Sequence, residues 1–495
     1  MTIENKYFIP PYKVKIEKDN NDKQLYSVDI SFITTKFNSL TNTIEKQIID
    51  ENGLLDNNII DFNSILLFLK NSIEEKLTSY FKDNKPQFFQ FLSDWMVYKI
   101  IGLENLMPLL IDDHVQEIYM DKPNTPLYID HQDFGRCLTN IILDENELEH
   151  LKTRLCLEKN AILNLLNPSL KVELKTEKFH IRAALDIPPL ASDGLSLNIR
   201  KLRKKIWTLP ELIKNNMLTI EASAYLLFIL KRRFNFTVIG EPGSGKTTLA
   251  NAIDLLTPTQ WRKITVEDVI ESIEQTQFNK FQTRYSVSPF ESQTNNHSKS
   301  KEIIKLLHRS PTWVFLGEIQ TEEHSKALFE ALSAGLVGIQ TCHGRSLEMM
   351  IIRWINQHNI PLSSILTLDI LIENSYNFND WKIKRNVSRI AEVSKEQLFN
   401  KQPLSKLDDL KIIDIFKFDQ KNTMLVKIID LFETPTLKLI RQKEGITKEE
   451  FENEINVLTK KLSYLIKNSI FDPNKVINYL LEKNTESLKQ LPHIN

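Results

Sequence analysis

Glycine is scarce in this chain, 12 residues in 495, so every cluster of glycines is informative. Four of the twelve, Gly240, Gly243, Gly245 and Gly317, fall in or near two short motifs, GEPGSGKT and WVFLGEIQ. Cysteine is scarcer: Cys137, Cys156 and Cys342, with no CxxC pair. That pattern argues against a zinc module or a disulfide framework and fits a reducing compartment. No apolar run reaches the roughly 18 residues that span a bilayer. The opening, MTIENKYFIPPYKVKI, lacks the apolar stretch of a signal peptide. The expectation is a cytoplasmic chain without a covalent membrane anchor, whose membrane role, if any, is peripheral. Charge of one sign is missing too: 63 Lys and Arg stand against 64 Asp and Glu. No global field draws nucleic acid or acidic lipid. The basic runs RKLRKK (200–205) and KRR (231–233) have no interleaved aromatics for stacking on bases, so no nucleic-acid partner is expected.

What is present is an ordinary globular composition, 41% hydrophobic and 26% charged. The length allows two to four domains of about 100–200 residues. Residues 1–90 read as strands followed by helix, with FNSILLFLKNSIEEKLTSYF (62–81) at helical spacing. Residues 91–205 read as an α+β domain. It opens with a helix over 91–111, continues through the strands VQEIYM, TPLYID and FHIRAAL, and includes a helix over 147–166. Residues 206–219 read as a linker helix started by Pro210. Residues 220–400 read as a P-loop domain that opens with a helix over 220–234; strand and helix alternate over 235–345, which argues for a parallel α/β sheet. Residues 401–495 read as a helical tail. There Phe451, Ile455, Leu458, Leu462 and Leu465 share a face, and Thr447 and Glu450 have capping-box spacing.

GEPGSGKT, Gly240 to Thr247, fits G-x-x-x-x-G-K-[ST], with a β-branched strand before it and a helix after it. The chemistry needs that order. Glycines let backbone N–H groups turn inward around phosphate oxygens, and the helix N-terminus adds a positive end. This places ATP on Gly240, Glu241, Pro242, Gly243, Ser244, Gly245, Lys246, Thr247 and Thr248. Lys246 reaches the β and γ phosphates, and the Thr247 hydroxyl takes Mg²⁺. Two acidic strand ends come next: KITVEDVIES, with Glu267, Asp268 and Glu271, and WVFLGEIQ, with Gly317 and Glu318. In a parallel sheet both emerge at the P-loop edge, where one carboxylate holds Mg²⁺ through water and another orients the nucleophile. The metal set is thus Thr247, Glu267, Asp268 and Glu318. His343, at the end of VGIQT, stands at that edge as a γ-phosphate sensor or as a structural histidine.

The order P-loop, VEDVIE, FQTRY, LLHRSPTWVFLGEIQTEEHSKALFEALSAG, TCHG resembles the type II/IV secretion ATPases. LLIDDHVQEIYMDKPNTPLYIDHQDFG, SDGLSLNIRKL and KRNVSRIAEVSKE resemble the archaeal branch, which serves pili, secretion and the archaellum. The likeness runs from about Leu25 to the C-terminus. It implies a RecA-like P-loop core behind an α+β N-terminal domain, with a helical C-terminal tail. It further implies a homo-hexamer that hydrolyses ATP at the cytoplasmic face of the membrane and drives a membrane platform protein. By resemblance, Glu267 and Asp268 form the acidic box, and Glu318 is the glutamate of an atypical Walker B. His343 matches the second histidine of a His box. Arg284, Arg182 and Arg200 lie where relatives place arginines that complete a nucleotide pocket. Three positions depart from the pattern: His308 and Gln320 stand where arginine is expected, and Leu336 stands in place of a histidine. They leave ATP binding more secure than turnover. They therefore motivate a second reading, a nucleotide-gated scaffold. A DNA-translocating motor is a third reading, resting on the basic run at 200–205.

Overall fold

A computed structural model describes residues 5–10, 12–19, 23–29, 31–52, 62–81, 89–202, 205–287, 298–379, 382–396 and 407–481. The chain divides into two compact units. The first comprises Met1–Lys204 with Phe378–Ile383, and the second Lys205–Asn377 with Lys384–Asn495. The division falls near 204/205, not at 90/91 or 219/220.

Among the described residues, the first unit is one nine-stranded sheet with helices. Its strands are β1 (Asn5–Ile9), β2 (Tyr12–Lys18), β3 (Gln24–Asp29), β4 (Val115–Met120), β5 (Pro126–His131), β6 (Gly135–Ile142), β7 (Ser169–Lys175), β8 (His180–Asp186) and β9 (Ser196–Lys201). They run in the order β1-β2-β3-β6-β5-β4-β9-β8-β7. Because β3 pairs with β6, the strands of the first ninety residues share one sheet with those of residues 91–205. The strict alternation of β6, β7 and β8 buries one face and leaves the other open. Onto the buried face pack α1 (Ser31–Asn52), α2 (Phe62–Phe81), α3 (Phe89–Ile100), α4 (Met107–Ile111) and α5 (Glu145–Lys159). Helix α2 has the expected bounds. The helix expected over 91–111 is two, because α4 restarts with Pro108 in its first turn. Helix α5 opens on an Asp144–Glu147 capping box and stops at Asn160, short of residue 166.

Among its described residues the second unit holds nine more strands: β10 (Phe236–Gly240), β11 (Lys263–Glu267), β12 (Gln282–Ser286), β13 (Trp313–Ile319), β14 (Gly338–His343), β15 (Ile370–Asn379), β16 (Lys382–Val393), β17 (Ile412–Asp419) and β18 (Met424–Lys427). Their order is β12-β11-β13-β14-β10-β15-β16-β17-β18. From β12 to β15 every pairing is parallel. Strands β10, β11 and β13 are buried on both faces; β10 and β13 are mostly apolar, while β11 carries the buried Lys263 and Glu267 at its two ends. One strand, β14, separates the P-loop strand from the strand bearing Glu318, and the whole is a RecA-like P-loop core.

Its helices are α6 (Leu209–Lys214), α7 (Ile220–Lys231), α8 (Lys246–Asp254), α9 (Lys299–Lys305), α10 (Glu322–Ser333), α11 (Leu347–Asn356), α12 (Pro435–Glu444), α13 (Lys448–Lys467) and α14 (Pro473–Leu481). The segment expected as a linker is α6, whose Leu209 and Leu212 are buried in this unit's core. The C-terminal region adds β17 and β18 to the sheet before it turns helical. Helix α13 has the Thr447–Glu450 capping box and packs Phe451 edge-on against Phe228 of α7, with ring centroids 5.0 Å apart. The P-loop helix α8 is fixed at its far end. Buried Asp254 accepts from Lys263 Nζ at 3.0 Å and from Trp313 Nε1 at 2.7 Å, tying α8 to β11 and β13.

Glu392, on β16, is fully buried among neutral partners. The Tyr225 hydroxyl and the Thr436 backbone N–H both donate to it. Burial pushes its carboxyl up to about 7, against these hydrogen bonds, which favour the charged form. The protonated form therefore persists in the folded state over a range where the unfolded chain ionises. Stability from this group is present below pH 4.5 and is lost as pH rises toward about 7. Thermal melts of Glu392→Gln should match the parent near pH 4.5 and rise above it progressively by pH 7–8. A gap that stays constant with pH would contradict this assignment.

Candidate functional site

Parallel register assembles the site. Gly240 pairs with His343, and Glu318 with Thr341, so the ends of β10, β14 and β13 lie side by side. Val266 pairs with Leu316, which sets Glu267 beside Gly317. The loop after β10 turns through Gly243 and Gly245 at φ +77° and +85°, conformations that glycine adopts without steric cost. Helix α8 then starts at Lys246.

Three side chains meet across the strand ends. Lys246 Nζ donates to the Glu241 carbonyl at 3.0 Å and lies 3.1 Å from His343 Nδ1. His343 Nε2 lies 2.6 Å from Glu318 Oε1. An ammonium can only donate, so Nδ1 accepts and Nε2 carries the proton toward Glu318. The other Glu318 oxygen accepts from Gln320 Nε2 at 2.5 Å. Burial would raise the Glu318 carboxyl. The His343 hydrogen bond, with Gln320 and the Lys246 charge, opposes it and holds the carboxyl below the usual carboxylate range. Arg353 of α11 donates to the carbonyls of Gln320 and His343, at 2.9 and 3.3 Å, and so ties the two strand ends together.

The pocket fits a nucleotide. Ser244 Oγ is buried in the loop with no hydrogen-bond partner among the described residues. A Cβ built on Gly243 would meet nothing within 4 Å, which leaves room for a ligand against that backbone. Thr247 is half-buried in the first turn of α8, where a hydroxyl can face a cation at the phosphates. Thr248 is half-buried beside it, and Pro242 is exposed. Arg345 Nε lies 3.2 Å from Glu241, and Arg385 Nε donates to the Gly243 carbonyl at 2.7 Å.

The acidic pair at the end of β11, Glu267 and Asp268, is engaged internally. Glu267 is 1% exposed. It accepts from the Ser272 hydroxyl at 2.6 Å and from the backbone N–H groups of Ser272 and Glu271 at 3.1 and 3.2 Å. Burial pushes its carboxyl up to about 7 against those bonds. Asp268 pairs at 3.2 Å with Lys299, which also donates to the Glu318 carbonyl at 2.6 Å. The structure thus gathers Lys246, His343 and Glu318 directly, and Asp268 through Lys299. Glu267 sits next to them, aimed into its own turn.

The three arginines belong to other elements. Arg284 is on the edge strand β12, four strand spacings or roughly 19 Å from β10 at about 4.8 Å each, and it pairs with Glu274 at 3.0 Å. Arg182 and Arg200 belong to the first unit. They are cross-strand neighbours in the row Glu173–Arg182–Arg200–Glu117. Of the departures, Gln320 is in the site, while His308 and Leu336 make none of these contacts. The basic runs are largely paired inside the chain: Arg200 lies 3.8 Å from Glu117, Lys205 pairs with Glu211, and Arg232 pairs with Glu444 and Glu454. Arg203 and Lys204 lie outside the described residues.

Residues 155–366 match the family model described as Type II/IV secretion system protein. That segment, less than half of the chain, is similar to the type II/IV secretion family. An uncharacterized protein of Methanocaldococcus jannaschii is 28% identical over 291 residues, covering 57% of this chain and 38% of that protein. This chain thus spans well under half of that relative's length. The type IV secretion system protein PtlH of Bordetella pertussis is 27% identical over 297 residues, 55% of this chain and 86% of PtlH. Among solved structures, the ATPase DotB of Legionella pneumophila aligns with a TM-score of 0.43 at 16% identity, over 75% of this chain and 88% of that one.

The packing at Gly317 gives a reason why no aspartate precedes the glutamate of this site. A Cβ there would lie 2.9 Å from Cγ of Glu267, whose carboxylate is fixed by three donors. Gly317→Ala should cost about 1–3 kcal/mol as an overpacked site, and Gly317→Asp more, both read as lowered melting temperature. Pairing Gly317→Ala with Glu267→Ala should recover most of the loss. No recovery would show that the glycine is needed for another reason.

Proposed function

We propose that this protein is an ATP-hydrolysing motor of the secretion and pilus type. The observation that carries the reading is the Lys246–His343–Glu318 chain beside the P-loop cradle. ATP phosphates draw Lys246 off His343 Nδ1 and onto the β and γ oxygens. That frees Nδ1, which must take up a proton from solvent before it can donate to a γ-phosphate oxygen, while Nε2 keeps its own proton on Glu318. A carboxylate that accepts from both His343 and Gln320 is a weak base, so Glu318 orients the attacking water rather than storing its proton. Mg²⁺, when bound, supplies charge neutralisation at the phosphates, and Thr247 and Glu318 are the side chains placed to hold it.

The working form in this reading is a homo-hexamer at the cytoplasmic face of the membrane. A head-to-tail ring closes on itself and lets a neighbour's Arg182, Arg200 or Arg284 complete each pocket. Force passes to a membrane platform protein that assembles a filament or moves a secreted substrate. The family match supports the motor. The Methanocaldococcus relative supports the archaeal branch, with pilus or archaellum assembly as its finer form.

One observation favours a second reading, a nucleotide-gated scaffold. Both Glu318 oxygens are engaged, one of them by Gln320 at 2.5 Å. A carboxylate so occupied turns over slowly until something displaces its partners.

Steady-state ATP hydrolysis with Mg²⁺, measured across protein concentration, decides between them. The motor reading expects specific activity that climbs with concentration and falls at least a hundredfold in Glu318→Gln and in Lys246→Ala. Concentration-independent activity, or activity that survives either substitution, contradicts it. Tight ATP binding without turnover in the parent selects the scaffold.

A further inference from the structure

Lys299 is the first residue of α9, and its side chain is 0% exposed. A lysine is a poor choice there on local grounds. The first turn of a helix is its positive end, and a buried ammonium is costly unless matched. A local rule broken without local gain calls for a tertiary reason. Here the reason is visible. The Lys299 ammonium bridges the Asp268 carboxylate and the main-chain carbonyl of Glu318, across the loops that end β11 and β13. Charged neighbours at these strand ends are Glu267, capped by residues 271–272, and Lys246, turned toward His343.

We propose that Lys299 is a positioning residue with two effects. It occupies Asp268, which keeps that carboxylate out of the metal site. It also pins the main chain of Glu318, so the glutamate carboxylate stays on His343. Asp268 and the Glu318 carbonyl share one ammonium, so each lies within about one side chain's reach of the other. Remove the ammonium and Asp268 becomes a loose carboxylate next to the Glu318 loop. The inference rests on reading the pocket as an ATP–Mg²⁺ site, and its test has a readout that does not depend on turnover.

The experiment uses the full chain as parent, Lys299→Met, Asp268→Asn and the double variant. Binding of a fluorescent ATP analogue is titrated with Mg²⁺, and melting temperature and turnover are measured alongside. Lys299→Met should lower the half-saturating Mg²⁺ at least fivefold, because Asp268 is released toward the cation. The double variant should return it to within twofold of the parent. Turnover should stay at least tenfold down in both, since Glu318 is still unpinned, even where the double variant regains the parent's melting temperature. Asp268→Asn alone should leave the Mg²⁺ requirement within twofold of the parent, which tests the same claim if Lys299→Met fails to fold. A raised Mg²⁺ requirement in Asp268→Asn makes Asp268 a metal ligand and overturns the proposal. So does an unchanged requirement in Lys299→Met, or turnover restored with stability in the double variant. A parent that binds the analogue but does not turn over removes the motor reading, and the Mg²⁺ titration still decides the role of Lys299.

Discussion

The contact between His343 and Glu318, 2.6 Å across two adjacent strand ends, organises the nucleotide edge. It requires β10, β14 and β13 to be in register, because Gly240, His343 and Glu318 come from three separate stretches of sequence. It also requires the register shift between Leu316 and Glu318, where Gly317 lies close under Glu267. A bulge re-aims the side chain after it. Here that side chain is the glutamate, which meets an imidazole held on its other side by Lys246. The charged groups of this edge thus satisfy one another.

That arrangement explains how few charges remain for chemistry. Glu267 is capped by its own turn, Asp268 by Lys299, and one Glu318 oxygen by Gln320. The P-loop lysine itself is engaged by a histidine. Binding of phosphates has to break at least one of these contacts. The same contacts that stabilise the resting edge thus set how steeply it responds to ligand, and Gln320 makes one of them.

Much of this was legible in the sequence. The glycine spacing, the flanking strand and helix, and the two acidic strand ends fix the P-loop, Glu318 and the parallel core. The periodicity of 62–81 gives α2 its bounds. Other features were not legible, for physical reasons. SKSKE around Lys299 has the composition of a solvated loop, and nothing local reveals that one of its ammonium groups is fully buried. The split of 91–111 needed Pro108 to be read as a start signal. Residues 206–219 look like a linker because they are short, yet Leu209 and Leu212 belong to a core. Arg284 has the right place in the motif order, but strand order puts it at the far edge with Glu274.

The central claim is that nucleotide phosphates compete with His343 for Lys246. Nitrogen NMR of selectively labelled histidine, with His343 assigned by its loss in His343→Gln, reads this directly. The His343 Nδ1 resonance should shift when a non-hydrolysable ATP analogue and Mg²⁺ are added. In Lys246→Ala, the nucleotide-free protein should already differ from the parent, and the analogue should add little. A His343 signal that is indifferent to both nucleotide and Lys246 would contradict the claim.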